Sequence, residues 1–147
     1  MPERKVRIFG MDFPTKMLLV VDQVRGIEVS TTEDFIKRSV RFRMFLDEQR
    51  QTVQQAGTTP VIRIGEEELN DEAAPLLYTS AETKRKIHFS IPLFEQLQTV
   101  ARTNLGQYVR ESVALSIRTA QLARKYSNGR LTFVPLEING RYFDVEF

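Results

Sequence analysis

Lys84, Arg85, Lys86, His88 and Ser90 place five hydrogen-bonding side chains, three of them cationic, within seven residues. Lys86, His88 and Ser90 alternate with Ile87, Phe89 and Ile91. Period two is the mark of a strand with one wet face and one dry face. A row of this kind suits an anionic or hydrogen-bonding partner better than it suits catalysis. His88 is the single histidine, and there is no cysteine to accompany it. No HExxH, GxSxG, P-loop or GxGxxG pattern occurs, and the carboxylates are scattered, densest at Glu66, Glu67 and Glu68. An enzyme is therefore not expected, and nothing calls for a metal or cofactor.

The elements around this row must hold it in place. Pro92 ends the strand, since proline donates no ladder hydrogen bond and suits the start of a helix. Leu93, Leu97, Val100 and Ala101 then repeat at helical spacing for about three turns. A polar break follows at Arg102, Thr103 and Asn104, and a second, longer helical pattern runs from Gln107 through residue 126. Asn104 and Gln107 have capping-box spacing.

The first half of the chain repeats this order. Residues 5–14 read as a strand ending in Phe13-Pro14, and residues 15–24 as a short helix with Met17, Val20, Val21 and Val24 on one side. Gly26 ends that helix. Ser30, Thr31, Thr32 and Glu33 form a capping box, which opens a helix to about Val53 carrying Phe35, Ile36, Val40, Phe42, Met44 and Leu46. Gly57 and Pro60 close the block, and residues 61–64 form a short strand. Phe35-Ile36-Lys37-Arg38-Ser39-Val40 aligns with Tyr108-Val109-Arg110-Glu111-Ser112-Val113, and Phe13-Pro14 with Ile91-Pro92. Together with the shared element order, this points to an internal duplication.

Composition sets the frame. The 147 residues are 41% hydrophobic and 27% charged, as in an ordinary folded chain of one domain or two small ones. The absence of cysteine excludes disulfides and thiolate metal sites. No apolar run approaches the roughly 20 residues of a membrane span, and no apolar core follows the N-terminal charges. A soluble, cytoplasmic chain is expected. The net charge of +2 is uneven: residues 1–64 hold 11 basic and 8 acidic side chains, 65–82 hold 6 acidic ones, and 83–147 hold 10 basic and 5 acidic. Residues 65–82 read as an acidic linker, with room for a helical turn at 71–78. Residues 131–147 form a hairpin about Asn139-Gly140, with Pro135 at an edge or bulge, and it either completes a core or offers an edge to a protein partner.

Strand, apolar-Pro step, three-turn helix, capped turn and long helix, in that order, resemble the ribbon-helix-helix family of DNA-binding proteins. The resemblance implies an α+β fold of two tandem units, 1–64 and 83–147, the second carrying the hairpin. It implies sequence-specific binding of double-stranded DNA in the major groove by a two-stranded ribbon, with a prokaryotic role in transcriptional regulation or in plasmid or phage maintenance. The ribbons would pair within one chain as a pseudo-dimer, or between two chains. By the same resemblance, Lys86, His88 and Ser90 read bases, and Lys84 and Arg85 reach phosphates. Asn104, Leu105 and Gly106, with Ser30, Thr31 and Thr32, would clamp phosphates at the starts of the long helices. In the first block, Phe13-Pro14 sets a register in which Ile8, Gly10 and Asp12 face outward; a bulge at Gly10 would instead turn Lys5 and Arg7 out to the bases. Two other readings compete: an antitoxin with the hairpin on its toxin, and an interaction module that keeps the fold without DNA.

Overall fold

Two strands in this chain pass directly into helices. In the computed structural model, which describes residues 6–26, 29, 31–69, 81–102, 104–126 and 133–146, β1 (Val6–Pro14) continues into α1 (Thr15–Val24). The long α2 (Thr32–Gln55) follows, then the short strands β2 (Ile62–Ile64) and β3 (Glu67–Glu68). The order then recurs: β4 (Glu82–Ser90), α3 (Ile91–Ala101), the long α4 (Leu105–Tyr126), and the strands β5 (Phe133–Ile138) and β6 (Arg141–Glu146). Among the described residues the fold is α+β, with four helices and two small antiparallel sheets.

The first sheet is a ribbon of β1 and β4, paired within one chain. It runs without interruption from Val6 opposite Ser90 to Pro14 opposite Glu82. Phe13, Ile87 and Phe89 are fully buried on its inner face, with Met11 beside them. Met17, Leu18 and Val21 of α1, and Leu93, Phe94 and Leu97 of α3, are buried beside the ribbon. The apolar stripes differ slightly from expectation: Leu18 is buried as well, Val20 packs against the core while only partly buried, and Val100 stays 42% exposed. The second sheet has the order β3-β2-β5-β6.

The two long helices pack against each other. Ser39 and Ser112 are fully buried in them, each donating its hydroxyl to the carbonyl four residues earlier, Phe35 and Tyr108 respectively, at 2.7 Å. A back-bond of this type satisfies a small buried hydroxyl without an outside partner. α2 begins one residue later than its capping box suggested: Thr31 is the N-cap and accepts from the Asp34 amide. α4 begins at Leu105, two residues before Gln107.

Part of the expected acidic linker is ordered structure. Gly65 turns the chain between β2 and β3 with φ +61°, and a β-carbon there would lie 2.6 Å from the Tyr126 ring, so the turn needs glycine. Leu69 is buried, its amide donating to the Ile62 carbonyl at 2.7 Å. Glu82 belongs to β4. The helical turn expected at 71–78 lies outside the described residues.

The hairpin forms where Asn139-Gly140 placed it, with φ +49° and +84°, both positive as a type I′ turn requires. Of its expected limits, Leu131 and Phe147 lie outside the described residues. Val134, Leu136 and Ile138 are buried, and β5 pairs with β2. The Asn139 side chain accepts from the Val61 amide at 2.9 Å and donates to the Thr59 carbonyl at 2.8 Å. The hairpin thus completes a core through β5, while β6 ends the sheet. Among the described residues no helix is long and apolar enough to cross a membrane.

Candidate functional site

Opposed residues of an antiparallel pair share a face, so the ladder decides which side chains the ribbon presents. On its outer face Ile8 lies opposite His88, Gly10 opposite Lys86, and Asp12 opposite Lys84. All six are exposed, and Ile8, at 56%, is the large apolar side chain among them. The inner face pairs Phe9 with Ile87, Met11 with Arg85, and Arg7 with Phe89. The register set by Phe13-Pro14 therefore holds. No bulge occurs at Gly10, and Arg7 belongs to the inner row instead of the outer one, its guanidinium 5.4 Å from the centre of the Phe94 ring. Lys5 lies outside the described residues. Ser90 is exposed, and its hydroxyl accepts from the Leu93 amide at 3.4 Å, capping α3. Arg85 is exposed although its position belongs to the inner face.

The starts of the long helices flank the ribbon, and they differ. At α4, the Asn104 side chain accepts from the Gln107 amide at 2.9 Å, and no acid lies in the first turn. Arg110 donates to the Asp12 carbonyl at 2.9 Å and to the Gln107 side chain at 3.3 Å, tying this helix to β1. Leu105 packs against the core with its side chain. A β-carbon at Gly106 would meet only Arg110 and Asn104 at 3.5 Å or more, an ordinary contact, so packing does not demand glycine there.

At α2 the first turn carries Glu33 and Asp34. Glu33 Oε1 accepts from the His88 backbone amide at 2.6 Å and lies 2.8 Å from His88 Nδ1. Burial pulls the Glu33 carboxyl up, but the His88 amide and ring, with the His88 and Lys37 charges, outweigh it and hold the group below its ordinary range. Thr32 donates to Asp22 at 2.5 Å. That bond, opposed by burial and reinforced by Arg25 and more distantly Arg85, also holds Asp22 low. The hydroxyls of Thr31 and Thr32 are thus both engaged within the protein, and carboxylates stand where an anion was expected. Ser30 lies outside the described residues.

A second polar cluster joins the long helices. Arg43 lies over the Tyr108 ring at 4.1 Å and donates to the Tyr108 carbonyl at 3.1 Å. It also pairs with Glu111 at 3.1 Å. The Tyr108 hydroxyl donates to Asp47 at 3.0 Å, and Arg50 pairs with the same carboxylate group at 3.1 Å. Burial, then the Asp47 charge and hydrogen bond, push the Tyr108 phenol well above its ordinary value. Arg43 is therefore a structural residue held between the two long helices.

Sequence reasoning missed Glu33 as a partner of His88, because the two lie 55 positions apart in different blocks. It also missed Arg110, for which alignment with Lys37 in the repeat was the one hint. No protein-family model, curated protein or solved structure matches this chain.

Proposed function

We propose that the two blocks are ribbon-helix-helix units paired within a single chain, and that the chain binds double-stranded DNA sequence-specifically through the outer face of the β1–β4 ribbon. The observation that carries this reading is the ribbon itself. Two strands, each running into a short helix and then a long one, pair antiparallel in a single register and turn Lys84, Lys86 and His88 to solvent. A two-stranded ribbon fits the major groove, where lysine donates to guanine O6 and N7. His88 and Ser90 donate or accept and discriminate more weakly. At the start of α4, the positive end of the helix and the missing side chain of Gly106 favour the approach of a phosphate. Regulation of transcription, or maintenance of a plasmid or phage, would follow from such binding in a prokaryotic cytoplasm.

Selection from a random duplex pool tests the reading. Wild type should enrich a sequence and lose affinity steeply with salt. Lys86→Ala/His88→Ala should bind without enriching that sequence. Wild type that binds no duplex at low salt would overturn the reading.

A protein partner is the second reading, favoured by Tyr142, which stands 82% exposed on the last strand of the sheet. Loss of a co-purifying protein on Tyr142→Ser, with duplex binding absent in both proteins, would favour it over the first.

A further inference from the structure

The two inner faces of the ribbon match and the two outer faces do not. Aligning Phe13 with Ile91, an offset of 78, also superposes Arg7 on Arg85, Phe9 on Ile87 and Met11 on Phe89. Arginine is kept in the first of these pairs and a large apolar side chain in the others, whereas Thr83 of the same row falls on Lys5. The same offset superposes Val6 on Lys84, Ile8 on Lys86, Gly10 on His88 and Asp12 on Ser90. None of these four exposed β1 residues has the same side chain at its counterpart. Because the offset maps Phe9 onto Ile87, and these two residues are paired in the ladder, it is the internal two-fold of the ribbon. The buried positions of the ribbon are thus more alike between the two strands than the exposed ones.

The electrostatics diverge in the same sense. One end of the ribbon has Lys84 and Lys86 on its outer face, with the exposed Asp12 opposite Lys84, Glu82 at the end of the ladder, and Arg110 reaching in from α4 to the Asp12 carbonyl. At the other end Glu33 occupies the flank of β4, bonded to the amide and ring of His88. Lys37, the repeat counterpart of Arg110, acts on Glu33, and the Asp22 and Asp34 carboxylates next to it are matched by Arg25 and Arg38, so these groups carry no surplus of positive charge.

Resting on the DNA reading above, we infer that this ribbon recognises a sequence without two-fold symmetry and binds it in one orientation. The Lys84–Lys86 end supplies both the base contacts and the phosphate contacts. At the far end, the Glu33 carboxylate repels the backbone, and Ile8 can offer only apolar contact, as to a thymine methyl. A symmetric homodimeric ribbon presents the same residues to both half-sites and so calls for a palindrome. A single-chain ribbon is under no such constraint.

The experiment is selection from a random duplex pool with the full chain, followed by the same selection with Ile8→Lys and Glu33→Gln. Ile8 is exposed, so lysine fits there without repacking and restores the two-fold partner of Lys86. The amide introduced by Glu33→Gln keeps an oxygen for the His88 amide and removes the charge. For wild type the expected consensus lacks dyad symmetry, and for Ile8→Lys it gains bases related by a dyad. Glu33→Gln is expected to bind several-fold tighter at about 50 mM salt, with an affinity that falls more steeply toward about 200 mM. A palindromic wild-type consensus overturns the inference and leaves the DNA reading standing. No enrichment and no salt-dependent binding overturns both. An unchanged affinity in Glu33→Gln overturns the part assigned to that carboxylate.

Discussion

Ser39 and Ser112 hold the same place in two packed helices. Each is fully buried, and each donates at 2.7 Å to the carbonyl four residues before it. They are the identical serines of the aligned segments, so the repeat is visible as a repeated contact as well as a repeated word. A side chain of this size lets two helix backbones approach while leaving no bare hydroxyl.

Enlarging either serine should force the helices apart. Ser39→Leu and Ser112→Leu are each expected to destabilise the protein by about 1–3 kcal/mol, the usual cost of overpacking. Alanine at the same sites should cost well under half of that, since the carbonyl keeps its helical partner. Urea unfolding of the four variants checks both statements.

Tyr108 joins α4 to α2 through Asp47, and its phenol is held protonated. A folded-state value above the unfolded one of about 10 means the contribution is complete below that pH and is lost as pH rises beyond it. Wild type should therefore lose stability above about pH 10 more steeply than Tyr108→Phe does. At neutral pH the substitution should cost about 1.5–3 kcal/mol, one hydrogen bond to a charged acceptor. Thermal melts across alkaline buffers provide the comparison.

Glu33 gives the opposite sign. Its carboxyl sits below the ordinary glutamate value, so its contribution is present above that value and fades as pH falls through the folded one. Glu33→Gln should flatten the stability profile below about pH 4.5. Profiles that run parallel for wild type and variant down to about pH 3 would remove His88 as a stabilising partner of Glu33.

Gly65 and Gly57 both have positive φ, but only Gly65 faces an obstacle, the Tyr126 ring. Gly57→Ala should cost about 1 kcal/mol from backbone strain alone. Gly65→Ala should cost about 1–3 kcal/mol more, because the ring must also move. Paired denaturation curves separate the two contributions.

Much of the fold was legible because local signals agreed. Phe13-Pro14 and Ile91-Pro92 marked both strand-to-helix junctions, and Asn139-Gly140 marked the hairpin. Burial of Met11, Phe13, Ile87 and Phe89 followed from period two. What depended on distant pairing was not legible. β2 is three residues long, and nothing in Ile62-Arg63-Ile64 announces β5 as its neighbour. Glu33 reads as the acid of a capping box, since the box needs a carboxylate at that spacing. Its turn toward His88 depends on where β4 lies. Likewise Arg43 reads as surface charge until the Tyr108 ring arrives from the other block.

Both strands of the ribbon belong to one polypeptide, and this bears on how the protein behaves when scarce. A ribbon assembled from two chains comes apart on dilution, because its strands must find each other again. Here the strands are tethered, so pairing is governed by an effective concentration that does not change with the number of molecules present. A cell holding only a few copies would keep the ribbon intact, and the midpoint of its unfolding would be the same at any protein concentration.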